Sequence, residues 1–219
     1  MFPTSVSARL RRLMPIALLS LGAACAQIPE PEAPVAPTPA ALPVMAWDHR
    51  PESAQWTDAT LAALKAHGAP LLSQVPGDIA TWCPGYAEAS QDERAAFWAG
   101  MLSALAKHES TWNPGAVGGG GKWFGLVQIA PATARSYGCA AGSGSALKDG
   151  VSNLSCAVRI AARTVRRDGV VSAGMRGLAA DWGPFHSSRK RSEMANWTRS
   201  QSYCQPRQAA SVAKAKTAG

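Results

Sequence analysis

The stretch Lys107-His108-Glu109-Ser110-Thr111-Trp112-Asn113-Pro114, followed by a glycine cluster and then by Gly125-Leu126-Val127-Gln128-Ile129, decides how this chain is read. A carboxylate stands at the end of an apolar helix. A flexible loop follows, then a segment from Trp123 to Ile129 that reads as extended and carries one amide side chain, Gln128. Upstream, Ser90 and Glu93 form a capping box that starts the helix. Phe97, Trp98, Met101, Leu102 and Leu105 recur at helical spacing and predict a wide apolar face. Glu109 lies four residues after Leu105 and seven after Leu102, so it extends that face. A carboxyl group there is partly desolvated and its pKa rises. It then stays protonated near neutral pH, the state a general acid needs. A lone helix-end glutamate is more often simply solvated. The motif downstream turns the balance toward chemistry. His108 points away from its neighbour on a helix, so no His–Glu dyad is expected.

The stretch resembles the catalytic signature of the soluble lytic transglycosylase family. That signature has a Glu-Ser pair, a variable loop, Gly-Leu-Met-Gln-Ile, a proline and Thr-Ala. The corresponding residues here are Glu109-Ser110, Gly125 to Ile129, Pro131 and Thr133-Ala134. Asp149 and Asn153 resemble the pair that opens the next family helix, and Ala179 to Pro184 resembles a later Ala-Tyr-Asn-Ala-Gly segment. The resemblance runs from about Phe97 to Pro184. It implies a lysozyme-like fold, mainly α with minimal sheet, in a single globular domain. It also implies cleavage of peptidoglycan between N-acetylmuramic acid and N-acetylglucosamine without water, closing a 1,6-anhydro ring. Glu109 then acts as acid and base, with Ser110, Gly125, Leu126, Gln128, Ile129, Asp181 and Trp182 as the expected substrate-binding set. An amide such as Gln128 can both donate to and accept from sugar hydroxyl and acetamido groups.

Two departures keep other readings open. Gly118 stands where the family often has a serine, and Asp181 stands at the family's tyrosine. A second carboxylate at suitable separation activates water in an inverting hydrolase, so a muramidase using Glu109 and Asp181 competes. A peptidoglycan-binding protein without chemistry is the third reading. The retained Glu109 argues against it, because a binding module gains nothing from a costly half-buried acid.

The first residues predict export. Arg9, Arg11 and Arg12 precede an apolar run from Leu13 to Ala24 that is too short for a permanent membrane span. Leu21-Gly22-Ala23-Ala24-Cys25 resembles a bacterial lipobox. This makes residues 1–24 a signal peptide and Cys25 a lipidated first residue. Ordinary cleavage after Ala26 is the alternative. Four cysteines remain, and an even number in an exported domain implies two disulfides. Of the three possible pairings, Cys139–Cys156 with Cys83–Cys204 is the expectation. The first would pin a loop between two helices, and the second would tie the two ends of the domain. No Cys-x-x-Cys pair occurs and the four histidines are scattered, so neither a metal site nor a cofactor is expected.

The chain carries a formal charge of +8, and losing the three leader arginines leaves +5. A basic exported protein suits an anionic envelope polymer or a membrane surface. No basic stripe with interleaved aromatics supports nucleic-acid binding. Residues 25–46 are rich in proline and alanine and read as a stiff tether. Residues 47–205 form the domain, and 206–219 a basic, disordered tail. A monomer in the periplasm, held to the outer membrane through its lipid, is the expectation. The four glycines Gly118 to Gly121 read equally as a flexible turn or as a close approach of backbone to substrate. Trp112, Trp123 and Trp182 are balanced between core packing and stacking on sugar rings. The run Arg189-Lys190-Arg191 reads as a solvated helix face, and a further short helix is expected over Ala173 to Ala180.

Overall fold

Helix α4, Gln91–Ser110, is the axis of the molecule. Ser90 caps it: its hydroxyl accepts from the Glu93 N–H at 3.2 Å, and the Glu93 carboxylate accepts from the Ser90 N–H at 2.6 Å. The expected single apolar face is not what forms. Every residue from Ala95 to Ala106 is buried. Ala95, Ala96, Ala99, Gly100, Ala104 and Ala106 supply the sides opposite the large residues, so neighbouring elements close on the helix all round. A buried helix carries no one-sided pattern.

The computed structural model describes residues 41–207. The leader, Cys25 and most of the proline-rich segment lie outside the described residues, as does the tail from residue 208. Before α4 come α1 (Ser53–Lys65), α2 (Ala69–Ser73) and α3 (Ile79–Trp82). After it comes a two-stranded antiparallel sheet, β1 (Val117–Gly118) and β2 (Trp123–Phe124), pairing Val117 with Phe124 and Gly118 with Trp123. Then follow α5 (Pro131–Ser136), α6 (Gly150–Asp168) and α7 (Ser188–Ser200). This is the mainly helical, lysozyme-like arrangement with minimal sheet, built around one core in which Trp47, Trp98, Tyr86, Phe97 and Phe185 are fully buried.

Two disulfides tie the frame, Cys83–Cys204 and Cys139–Cys156. The last residues of the expected tether are packed on the domain. Tyr203 donates to the Val44 carbonyl, Met45 is buried, and the Ala46 N–H donates to the Ser103 hydroxyl at 3.0 Å. Packing therefore begins ahead of Trp47. Ala173 to Ala180 is not a helix but two 3-10 turns, because Gly174, Met175 and Gly177 all take positive φ. The extended reading of Trp123 to Ile129 holds only for its first two residues. Gly125 at φ 84° and Gln128 at φ 50° turn the chain back, so that Ile129 bridges Phe124.

Candidate active site

Glu109 occupies the last turn of α4, half-buried. Among the described residues its carboxyl makes no hydrogen bond or ion pair. Burial pushes its pKa up to about 7, and the positive charge of Lys190 on α7 offsets this only in part. A carboxyl group so placed keeps a substantial protonated fraction near neutral pH and can both give and retake a proton.

The backbone turns sharply beyond it. Thr111 caps α4 at φ 51° and Trp112 follows at φ 56°. Among the described residues only two further non-glycine positions, Gln128 and Met175, have positive φ. Three of the four strained positions thus lie in the two halves of the motif. Strain of this kind costs on the order of 1–3 kcal/mol each and persists only where surrounding structure enforces it.

Three side chains enforce it. The Ser110 hydroxyl donates to the Leu126 carbonyl at 2.7 Å, tying the residue beside the acid to the motif turn. Asn153, fully buried on α6, accepts from the Val127 N–H at 3.0 Å. Its amide donates to the Phe124 and Leu147 carbonyls at 2.9 and 3.0 Å. The indole N–H of Trp182 donates to the Val127 carbonyl at 2.9 Å. Asp149 caps α6 through the Ser152 N–H, which fixes where Asn153 points.

This changes the roles expected of several residues. Leu126 and Ile129 are core residues and Trp182 is 3% exposed, so all three hold the turn, while Ile129 and Trp182 also reach the floor of a surface notch. Ser110 spends its single donor on Leu126. Gly125 is buried, with its positive φ set against Leu147 and Asn153. Gln128 donates to the Gly125 carbonyl at 2.9 Å, yet it also lines a surface notch with Trp123, Thr133, Asp181 and Trp182. Trp123, at 47% exposure, is the aromatic ring presented there. Trp112 is instead packed, donating to the Ser103 carbonyl and standing edge-on to His49.

The glycine run and the serine-to-glycine departure have a packing reason. The Gln128 side-chain amide oxygen occupies the space a Cβ on Gly118 would need. The Gly119 backbone presses on the Trp123 ring, while Gly120 and Gly121 meet nothing. Half of the run is therefore close approach and half is open turn. The Asp181 departure also has a partner. The Tyr137 hydroxyl donates to the Asp181 carboxylate at 3.3 Å, so a Tyr–Asp pair borders the notch. Burial raises the Asp181 pKa, and the Tyr137 hydrogen bond opposes that. Asn153 and Tyr137 act here through contacts between distant segments. The Asp149–Asn153 spacing signals the first in the sequence, and no local pattern marks the second. Among the described residues no group of three or more His, Cys, Asp and Glu side chains could hold a metal ion.

Comparison with known proteins agrees with this geometry. Residues 87–172 match the transglycosylase SLT domain. Within that segment the glutamates are Glu88, Glu93 and Glu109, and only Glu109 lies downstream of the helix cap. Among solved structures, the wild-type form of Bd0314 DslA and two of its glutamate-to-glutamine mutants are similar to this chain. Each has a TM-score of 0.69 and 27% identity, covering 76% of this chain and 100% of that one. No curated protein matches. The SLT match and the structural likeness support a lytic-transglycosylase-type, peptidoglycan-processing domain.

Proposed function

We propose that this protein cleaves peptidoglycan glycan strands as a lytic transglycosylase, with Glu109 as the single acid and base. The observation that carries the proposal is the half-buried Glu109 carboxyl, unpartnered among the described residues, whose pKa burial pushes up to about 7. Glu109 gives its proton to the glycosidic oxygen as the bond to the muramyl C1 breaks. The resulting carboxylate then takes the proton of that muramyl residue's 6-hydroxyl, whose oxygen closes the 1,6-anhydro ring. No water enters, and Glu109 ends protonated as it began. The Trp123 ring and the Gln128 notch hold the strand beside it.

A muramidase is the competing reading, favoured by the raised pKa of Asp181 and its place on the notch. It is weakened by the engagement of Asp181 with Tyr137. Mass analysis of products from purified sacculi separates the readings. Anhydro-muropeptides support the transglycosylase, reducing ends mean hydrolysis, and an absence of products means a binding protein. Asp181→Asn should keep cleavage in the first case and lose it in the second.

The leader and the Cys25 motif extend the proposal to the envelope. The protein is anchored by its lipidated cysteine in the outer membrane, with the proline-rich segment reaching toward the peptidoglycan. Membrane fractionation of wild type against Cys25→Ser tests this. A wild type found soluble, with Gln27 as its first residue, would overturn it.

A further inference from the structure

Helix α6 carries a concentration of positive charge that the chemistry at Glu109 does not use. Arg159, Arg163, Arg166 and Arg167 line a cleft of about 460 Å³ together with His67 and Tyr137. Among the described residues, Arg159, Arg163 and Arg166 have no hydrogen bond or ion pair. Arg167 alone is paired, bidentately with Asp168 at 2.7 Å. Arg166 and Arg167 stand in the last turn of α6, where the helix dipole favours them. Arg159 and Arg163 stand mid-helix, one turn apart. Like charges at that spacing cost stability unless an anion sits between them.

The cleft adjoins the notch through Tyr137 and Asp181. Tyr137 lines the cleft, with the Arg163 guanidinium 5.9 Å from its ring centre, and its hydroxyl reaches Asp181 on the notch wall. A glycan strand seated on the notch projects the peptides borne on its muramyl residues to the side. Those peptides end in free carboxylates. Guanidinium groups bind carboxylates well because their paired N–H donors match the two oxygens. The recess also suits a protruding peptide better than the flat face of a membrane.

We propose that the α6 arginine cleft binds the carboxylates of peptidoglycan stem peptides and so selects peptide-bearing strands for cleavage. The proposal rests on the glycan-cleaving reading above. The test compares intact sacculi with strands stripped of stems by an amidase. The proteins are wild type and the triple variant Arg159→Gln, Arg163→Gln, Arg166→Gln, whose melting temperature at or above that of wild type reports an intact fold. The variant should cleave sacculi on the order of tenfold more slowly and stripped strands at the wild-type rate, as expected for three exposed ion pairs. Equal rates on sacculi, or equal losses on both substrates, would overturn the proposal. Binding of Glu109→Gln protein to each substrate, with and without the arginine changes, reads the cleft independently of cleavage. If wild type cleaves neither substrate, the glycan-cleaving reading fails, and weaker sacculus binding by the arginine variant still supports the cleft. If the arginine changes weaken binding to phosphatidylglycerol vesicles while leaving sacculus binding unchanged, the cleft faces a membrane and the stem-peptide assignment is wrong.

Discussion

The Ser110 hydroxyl and the Leu126 carbonyl meet at 2.7 Å, and through that bond the end of α4 is fastened to the motif turn. The bond joins residues sixteen apart in sequence and ties the residue beside Glu109 to the motif turn. Ser110→Ala should cost roughly 1 kcal/mol of stability, the usual net worth of such a bond. It should lower kcat by roughly tenfold to a hundredfold while leaving KM near wild type, because misplacing a reacting group costs rate more than binding. A variant with wild-type kcat would show that the bond positions nothing.

Glu109→Gln should abolish cleavage and also change stability in a pH-dependent way. Below about pH 4.5 both folded and unfolded chains hold the Glu109 proton. Between there and about 7 only the unfolded chain releases it, so wild type loses stability as pH rises through that window. The shift corresponds to roughly 3 kcal/mol at pH 8. Urea titrations should find Glu109→Gln more stable than wild type at pH 8 by up to that amount, with the difference shrinking toward pH 4. Wild-type kcat/KM should fall above about pH 7 as the acid ionises. A pH-independent stability difference would mean that Glu109 is solvated.

Gly125 and Gly120 both take positive φ but should respond differently to alanine. A Cβ on Gly125 would overlap the Leu147 carbonyl and the Asn153 amide. Gly125→Ala should therefore cost roughly 2–4 kcal/mol and remove activity. Gly120 has nothing within 4 Å, so Gly120→Ala should cost about 1 kcal/mol from backbone strain alone. Equal costs in thermal melts would contradict the packing described around Asn153.

The two disulfides close loops of very different length, separated by 121 residues for Cys83–Cys204 and 17 for Cys139–Cys156. Replacing each pair by serines should cost about 5 kcal/mol for the first and about 3 kcal/mol for the second, if loop entropy dominates. Denaturant midpoints in the reverse order would point to local strain or residual structure instead.

Local chemistry made much of this protein legible from its residues. The capping box at Ser90 and Glu93 and the glutamate four residues beyond an apolar helix position are both short-range features. So is the Glu-Ser and Gly-Leu-x-Gln-Ile spacing. The sequence by itself therefore determined the helical class, the place of Glu109 and the two half-motifs. Tertiary structure decided which side chains face a ligand and which hold the turn. Trp182 and Leu126 became struts, while Trp123 stayed open. Gln128 blocked the space at Gly118, and Tyr137 found Asp181 forty-four residues away. These outcomes depend on contacts between distant segments competing for the same buried volume. Short-range periodicity carries no information about which segment wins that space.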